Sequence, residues 1–465
     1  MSNSNHDFNN NSDYMKTKYN PRDPDILTKI VQGFGSKIVG EENNIKILML
    51  AGISKDLPKK NRISIIITSQ SSAGKSNLLN TVLELFKEDV IDFTEFTPAF
   101  LNRQEFDMNG KIFKLEQMEK TNDKNQVTLS NIKFLLTEGK IRMGLVEKND
   151  KGKNTPTTLE VRGFPVFFST STNYNIDPES INRTLLMQVD ESELQTGKIV
   201  SHILDSYANL IINDSWQVEL EDLTKLAQAY KYLAKHTRDI AIPFGKKLEK
   251  QIPISEITIR RDLPKILNLT CVIAFIHASN RIKIQDTKGE HFITDNFGET
   301  EKQYTYAIVA EPSDFKEALD IAGTTIQQTL NKINKSSMDI YEKFLEVYRQ
   351  KLEDNSISGQ NMTLDGQSNE VGVTIKEVSK VTKLSHNRTR ELVNQLYNAG
   401  FFLRERTKTR EFVYYPTGKK FENIKIEDLT FSKDELDEWL KEQIGTNKER
   451  LEIVHPQNRN FMSFG

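Results

Sequence analysis

The chain has 465 residues, of which 37% are hydrophobic and 28% are charged, and its formal net charge is −2. This length exceeds one ordinary hydrophobic core, so we expect two or three domains. The near-neutral charge excludes a globally polybasic protein, so any contact with nucleic acid must come from local basic clusters. The single cysteine, Cys271, excludes an intrachain disulfide and a cysteine-based zinc site, and its apolar surroundings predict a core position.

The first 60 residues divide into two segments. Residues 1–24 are polar and rich in Asn, which predicts a disordered tail and not a signal peptide. Residues 25–60 carry apolar residues at helical spacing and predict a helical lead-in. Because no apolar run reaches transmembrane length, we expect a cytoplasmic protein without a membrane partner.

The remaining chain divides into five segments. Residues 61–212 alternate short apolar runs with helical patterns, which indicates an α/β domain with a parallel sheet and flanking helices. Residues 213–350 predict a helical lid, interrupted by a polar insert in which "RIKI" pairs with "YAIV". Residues 353–372 are polar and rich in Gly and Asn, which is typical of a linker. Residues 373–420 predict a compact unit, and residues 421–465 a charged, helical tail.

The stretch "SQSSAGKS" lies between a β-branched run, "ISIIIT", and an amphipathic helical run, "NLLNTVLELF". It matches the phosphate-loop pattern G-x-x-x-x-G-K-[ST], except that Ser69 stands at the first position, where a strained φ would favour Gly. In such a loop the backbone N–H groups and the following helix N-terminus surround phosphates. Lys75 would reach the β- and γ-phosphates, and Ser76 would hold Mg²⁺.

The stretch therefore predicts an ATP site, against the alternative of an ordinary Ser- and Gly-rich turn between a strand and a helix. The residues expected to bind ATP are Ser69, Gln70, Ser71, Ser72, Ala73, Gly74, Lys75, Ser76 and Asn77.

Three later strands carry polar or charged residues of the kind that ATP hydrolysis needs. "KIFKLEQMEK" predicts a strand ending at Glu116, where an acid would hold the Mg²⁺ shell, followed by Gln117. "FPVFFSTSTN" predicts a strand ending at Asn173, where a polar group can position the attacking water or sense the γ-phosphate. Arg183 lies just before the strand "LLMQVD", and an arginine there often projects at the ATP of a neighbouring subunit.

The order of these motifs resembles an AAA+ ATPase, and it is most similar to the MCM-like helicases of mobile genetic elements. The stretch "IVGEENNIK" resembles the motif that precedes the core of this family, and "ITIRRDLPKILNL" resembles the lid segment that carries the sensor-2 arginine, here Arg260 or Arg261. The resemblance covers roughly residues 25–415. It implies ATP and Mg²⁺ as cofactors, a P-loop AAA+ core with a helical lid and a C-terminal winged-helix domain, and a homo-hexameric ring.

The sequence departs from this family at the acid-ended strand. Gln117 stands where a water-activating Glu is usual, and a Gln can orient a water but cannot accept its proton. Three alternatives remain open: Glu116 serves alone, Glu119 reaches the site, or hydrolysis is slow and the protein is mainly a binder.

The stretch "EKNDKGKN" between two alternating runs predicts a β-hairpin with Lys148, Lys151 and Lys153 at or near its tip. Taken alone, a polar tip indicates an ordinary solvated turn. In a ring of the resembled family the tip points into the central pore, where the lysines would grip the phosphates of single-stranded DNA.

The compact C-terminal unit predicts a helix, a turn, a second helix and a two-stranded wing, which is the winged-helix pattern. Thr374 and Ser385 are expected to cap the two helices, and Gly400 to end the second.

Basic residues cluster on this unit and predict contact with duplex DNA. They are Arg388 and Arg390, early on the second helix, and Arg404, Arg406, Lys408 and Arg410 on the wing. The alternative is a winged helix that contacts protein, with these side chains solvated.

Three functions fit the sequence. The first is an ATP-driven DNA helicase or translocase in DNA replication, which the long hairpin favours. The second is an initiation or loading factor in which ATP acts as a switch and hydrolysis is slow, which Gln117 favours. The third is a non-catalytic, nucleotide-binding DNA regulator. We expect the first.

Overall fold

A computed structural model describes the chain in fourteen stretches. They are residues 18–93, 107–115, 123–148, 154–172, 183–208, 215–252, 254, 259–294, 300–357, 372–407, 410–422, 424, 429–445 and 450–456. The helices in these stretches are α1 (Ile26–Gly33), α2 (Glu42–Ser54), α3 (Lys75–Leu83), α4 (Asp123–Glu138), α5 (Glu193–Ala208), α6 (Ser215–His236), α7 (Ile259–Ile276), α8 (Pro312–Asn331), α9 (Lys335–Ile357), α10 (Ile375–Thr382), α11 (His386–Asn398) and α12 (Lys433–Ile444). The strands are β1 (Ile65–Thr68), β2 (Val90–Phe93), β3 (Ile112–Leu115), β4 (Lys140–Lys148), β5 (Asn154–Arg162), β6 (Val166–Ser171), β7 (Leu185–Gln188), β8 (Thr237–Ala241), β9 (Lys283–Thr294), β10 (Thr300–Val309), β11 (Val373–Thr374), β12 (Phe402–Arg406), β13 (Phe412–Pro416) and β14 (Leu451–Val454).

A five-stranded parallel sheet in the order β2-β3-β6-β1-β7 forms the centre of the molecule. Every residue of β1, β3 and β6 is buried, as expected for parallel strands covered on both faces. The register pairs Thr68, the last residue of β1, with both Ser171 and Gln188, so three strands end at one edge of the sheet. This confirms the predicted α/β domain with a parallel sheet and flanking helices.

The lead-in and the helical region share one hydrophobic cluster with this sheet. Ile30 of α1, Leu50 of α2, Leu226 of α6 and Phe275 of α7 all lie in it. The prediction of a disordered tail over residues 1–24 is wrong for its last residues. Tyr19 is 1% exposed, and its hydroxyl donates to Glu219 Oε2 at 2.6 Å. The first 17 residues lie outside the described part of the chain.

Cys271 is buried in the same cluster, as expected, and burial raises the pKa of its thiol to about 12. Among the described residues, no helix is both long enough and apolar enough to cross a bilayer.

Two antiparallel hairpins confirm predicted pairings. Strands β4 and β5 pair from Lys140 opposite Arg162 to Lys148 opposite Asn154, and the tip between them lies outside the described residues. In the helical region, β9 and β10 pair "RIKI" with "YAIV" as predicted, with Ile284 opposite Ala307.

The second hairpin belongs to a four-stranded sheet in the order β14-β9-β10-β8 that the sequence did not predict. Strand β8 is parallel to β10, and β14, from the predicted helical tail, is antiparallel to β9. Leu440 of α12 packs against Ile284 and Val309 of this sheet. The residues after 420 therefore fold back onto the middle of the chain, and they contain a strand as well as the expected helix.

The C-terminal unit contains α10, α11 and the three-stranded sheet β11-β13-β12. The predicted caps are confirmed: Thr374 forms a reciprocal capping box with Glu377, and the Ser385 side chain accepts from the N–H of Arg388. Gly400, with φ +80°, follows the end of α11.

Helix α9 packs with this unit and not with the predicted lid. Its residues Tyr341 and Phe344 lie in one hydrophobic cluster with Leu396 and Phe402, and the rings of Phe344 and Phe402 are 4.2 Å apart between centroids. The helix continues to Ile357, into the residues predicted as a linker. The packing boundary therefore falls before α9, and residues 358–371 of the linker lie outside the described residues.

Candidate functional site

The turn between β1 and α3 has the geometry of a phosphate-binding loop. Gly74 has φ +89° and Ser72 has φ +66°. A Cβ at Gly74 would meet no atom within 4 Å, so the backbone angle, not space, requires glycine there. Ser69 is not among the residues with positive φ; it is fully buried, and its N–H donates to Ser171 O at 3.2 Å. The expectation that its position would prefer glycine is therefore wrong.

Lys75 places its ammonium group inside this turn. The side chain is buried, and Nζ donates to Ser69 O at 2.8 Å, to Ser69 Oγ at 3.3 Å and to Gln70 O at 2.6 Å. The first N–H groups of α3 have no partner within the helix and point at the same space. A buried cation at a helix N-terminus is an arrangement that favours a bound anion. The exposed residues of the loop are Gln70, Ser71, Ser72, Gly74, Ser76 and Asn77, and Ala73 is half-buried.

The strands that precede the predicted catalytic residues end beside this loop. Strand β6 lies between β1 and β3, and Ser169 Oγ donates to Leu115 O at 2.9 Å, one residue before Glu116. Glu116, Gln117 and Asn173 themselves lie outside the described residues, so their roles stay predictions.

The exposed hydroxyl of Ser76 is a donor that fits Mg²⁺. The Ser76 hydroxyl is exposed in the first turn of α3, and β3 ends at the same edge with Leu115, which precedes the predicted ligand Glu116 in the sequence. A hydroxyl and a carboxylate are hard oxygen ligands, which Mg²⁺ prefers. The described residues contain no group of three or more His, Cys, Asp or Glu side chains that would hold a metal alone.

Arg183 lies at the amino ends of the parallel strands, whereas the phosphate loop lies at their carboxyl ends. It comes just before β7, where Leu185 N donates to Ser64 O at the amino end of β1, and its Nε donates to Thr137 Oγ1 of α4 at 3.0 Å. The four residues of β1 separate the two edges by about 13 Å. Arg183 is therefore directed away from the loop of its own chain.

Arg260 and Arg261 are exposed in the first turn of α7. Further along this helix, Asn268 Nδ2 donates at 3.4 Å to the carbonyl of Arg62, which precedes β1. Helix α7 thus passes the amino end of β1, and within the described chain no hydrogen bond joins either arginine to the phosphate loop. Their sensor role stays a prediction.

Four predicted DNA-contacting residues of the C-terminal unit are exposed, namely Arg390, Arg404, Arg406 and Arg410. The guanidinium of Arg404 lies 4.1 Å from the Tyr397 ring centroid and 4.8 Å from that of Phe412, and these contacts orient it on β12. Lys408, Lys151 and Lys153 lie outside the described residues, and Lys148 ends β4 next to the hairpin tip.

Arg388 differs from this group. It is 9% exposed, and its Nη2 donates to Glu191 Oε2 at 3.2 Å. The other oxygen of the same carboxylate, Oε1, accepts from the backbone N–H of Gln70 at 2.7 Å. The expected exposed position is wrong for Arg388, because a carboxylate at the phosphate loop holds its guanidinium. The sequence analysis missed Glu191, and the only signal for it was an acid shortly after the strand "LLMQVD".

A cavity of about 680 Å³ adjoins this contact. Its walls include Gln70, Glu41, Asp190, Lys335 and Arg388, so the phosphate loop, α2, α9 and α11 all line it. The Glu41 carboxylate accepts from Asp190 N at 2.7 Å, and burial raises its pKa despite this hydrogen bond.

Comparisons with known proteins support the assignment of the core. Residues 16–235 match the family described as MTBMA_p00010 P-loop domain, which agrees with the parallel sheet and the geometry of the turn before α3. No curated protein matches the sequence significantly.

Two solved structures show a distant likeness to this chain. A full-length MCM homolog from Methanopyrus kandleri is 11% identical with a TM-score of 0.40, and the match covers 71% of this chain and 63% of that chain. The C-terminal region of NrS-1 is 14% identical with a TM-score of 0.28, and the match covers 87% of this chain and 78% of that chain. With TM-scores below 0.5, neither likeness extends the assignment beyond the P-loop domain.

Proposed function

We propose that the protein is a P-loop ATPase of the AAA+ class that acts as an MCM-like DNA helicase or translocase in DNA replication. The observation that carries this proposal is the buried Lys75 ammonium, held inside the turn before α3 at the edge where β1, β3 and β6 end. A triphosphate that replaces the carbonyl partners of Nζ would be held by this cation and by the helix N-terminus.

Other residues of the chain would bind Mg²⁺, orient the attacking water and accept its proton. Ser76 and Glu116 would hold Mg²⁺, which when bound neutralises charge on the β- and γ-phosphates. Gln117 and Asn173 would orient the attacking water. Because an amide cannot accept a proton, Glu116 or Glu119 would take it.

The position of Arg183 supports an assembly in which each site is completed by a neighbouring copy. Its side chain lies at the sheet edge opposite its own phosphate loop, where a neighbour's triphosphate can be reached. Helix α5 supplies a surface for such a contact, since it buries only Gln195. Its exposed apolar stripe consists of Ile199, Val200, Ile203, Leu204 and Tyr207. We propose that this stripe contacts another copy of the chain in a homo-hexamer.

Two basic surfaces would contact DNA. The hairpin β4–β5 would direct Lys148, Lys151 and Lys153 at single-stranded DNA in a central pore. The C-terminal unit would act as a winged helix and contact duplex DNA. Its contacting residues would be Arg390, Arg404, Arg406, Lys408 and Arg410.

A second candidate function is an ATP-switched DNA-loading factor with slow hydrolysis. The observation that favours it is the contact of Arg388 with Glu191, which attaches the DNA-contacting unit directly to the nucleotide site. Gln117 in place of a glutamate also favours slow turnover.

An assay of DNA strand displacement distinguishes the helicase from the loading factor. We expect the protein with ATP and Mg²⁺ to unwind a forked duplex, and Lys75→Ala to abolish unwinding. The matched control is Lys87→Ala, which removes an exposed lysine shortly after α3. If the wild type binds the fork in an ATP-dependent manner without separating its strands, the motor is excluded and the loading factor is supported.

A further inference from the structure

The carboxylate of Glu191 joins the phosphate loop to the C-terminal unit. Oε1 accepts from the backbone N–H of Gln70 at 2.7 Å, and Oε2 accepts from Gln70 Nε2 at 3.3 Å and from Arg388 Nη2 at 3.2 Å. Gln70 in turn offers its carbonyl oxygen to Lys75 Nζ at 2.6 Å. An uninterrupted series of polar contacts therefore connects α11 with the lysine of the phosphate loop.

These two charged groups are largely removed from solvent. The side chains of Arg388 and Glu191 are 10% and 15% exposed. Away from water, a carboxylate close to a bound triphosphate repels it strongly unless a cation neutralises the carboxylate. The second carboxylate near Arg388, that of Glu391 at 3.5 Å, is 64% exposed and therefore interacts weakly.

A second contact holds the same two parts of the molecule together. Gln188, the last residue of β7, accepts from the N–H of Lys335 at 2.9 Å and donates to Ser336 Oγ at 3.1 Å, at the start of α9. Because α9 packs within the C-terminal unit, this unit is fixed at the carboxyl edge of the sheet at two points.

We infer that Glu191 is a positioning residue for the phosphate-binding loop and that Arg388 neutralises it, so that tight ATP binding requires the C-terminal unit to be docked. This inference rests on the proposed function, since it takes ATP as the ligand of the loop. Glu191 orients the Gln70 peptide through its N–H, and Arg388 removes the repulsion that the carboxylate would exert on the triphosphate. Because linkage is reciprocal, any DNA that draws Arg388 away from Glu191 weakens ATP binding by the same factor as ATP weakens that DNA contact.

The test is titration of the full-length protein with an N-methylanthraniloyl derivative of ATP in the presence of Mg²⁺. We expect Arg388→Met to weaken binding about tenfold, which corresponds to losing one partly screened charge interaction. The matched control is Lys376→Met, which removes an exposed cation from α10 in the same C-terminal unit, with an expected change below about twofold.

Rescue distinguishes charge neutralisation from a merely structural role. The double variant Glu191→Gln with Arg388→Met should regain nearly wild-type affinity. The reason is that the uncharged amide in place of the carboxylate still accepts from the N–H of Gln70 and no longer repels the phosphates. Arg388→Lys should also stay close to wild type. Arg388→Met binding as tightly as Lys376→Met, or a double variant as weak as Arg388→Met alone, would overturn the inference.

Two further measurements keep the outcome clear. If Arg388→Met does not fold, the ATP affinity of the single variant Glu191→Gln tests the inference. The inference requires Glu191→Gln to bind ATP at least as tightly as the wild type, and weaker binding would overturn it. If the wild type binds no more tightly than Lys75→Ala, the proposed function fails, and that result is distinct from a normal wild type with an unaffected Arg388→Met.

Discussion

The Nζ atom of Lys75 lies 2.6 Å from the carbonyl oxygen of Gln70, inside the turn that joins β1 to α3. This contact fixes the ammonium group at the helix N-terminus, where a phosphate would meet both the cation and the helix N–H groups. The same Gln70 peptide donates its N–H to Glu191. The phosphate loop is therefore linked at one residue to its own lysine and to the remote C-terminal unit.

Gly74 of the phosphate loop has a backbone angle that a side chain disfavours. With φ +89°, an L-residue there costs about 1–2 kcal/mol, and the loop would relax away from its anion-binding shape. We expect Gly74→Ala to lower the affinity for ATP by about tenfold in an equilibrium titration. Gly35→Ala is the matched control, because its φ is not positive and its Cβ would meet no atom within 4 Å. Equal affinities of the two variants would contradict this account of the loop.

Asp89 is the centre of an ion-pair cluster on the sheet domain. The Nζ of the buried Lys55 lies 2.8 Å from the Asp89 carboxylate, that of Lys231 lies 2.8 Å away, and that of Lys111 lies 3.3 Å away. Burial alone would raise the pKa of Asp89, but hydrogen bonds from Lys231 and Lys55 outweigh it and hold the pKa below its ordinary value. Its stabilisation is therefore fully present above the pKa of the unfolded chain and is lost as the pH falls through the lower, folded pKa.

We expect Asp89→Asn to destabilise the protein by about 3 kcal/mol near neutral pH, because it leaves the ammonium of Lys55 buried with fewer negative partners. In urea unfolding, the difference from wild type should shrink as the pH is lowered towards the acid range. Glu221→Gln, which removes one carboxylate of an exposed pair with Lys225, should have little effect at any pH. An Asp89→Asn effect that does not depend on pH would argue against this origin of the stability.

The apolar stripe of α5 predicts how the protein assembles. Leu204 is 65% exposed and Tyr207 89% exposed, which is unusual for a surface that faces only water. In sedimentation velocity, we expect Leu204→Lys to shift the protein from a hexamer to smaller species without unfolding it. Ser201→Lys, which at helical spacing lies away from the stripe, should leave the assembly unchanged. A hexamer that persists in Leu204→Lys would exclude this helix as the contact between copies.

Features set by local sequence were predictable. The β-branched run, the Gly-Lys-Ser turn and the apolar periodicity of the following helix all act over a few residues, so β1, the loop and α3 followed from the sequence. The helix caps at Thr374 and Ser385 were predictable for the same reason, because each accepts from an N–H only three residues later. The hairpin pairings followed because their strands alternate and are near neighbours in the chain.

Features set by distant partners were not predictable. Arg388 looked like a surface residue because the carboxylate that binds it, Glu191, is far away in sequence. Strand β14 is only four residues long, and its partner β9 is far away in sequence. Helix α9 has an amphipathic pattern that fits the predicted lid equally well, and its partners Leu396 and Phe402 become evident only in the packed C-terminal unit.

The most direct test of the central claim is the steady-state rate of ATP hydrolysis with and without single-stranded DNA. The account predicts that DNA stimulates hydrolysis, that Lys75→Ala abolishes it, and that Lys87→Ala leaves it unchanged. Gln117→Glu, measured alongside, reports whether proton acceptance limits the rate. Tight ATP binding with negligible turnover, restored only in Gln117→Glu, would contradict the motor and identify an ATP-switched DNA-binding factor.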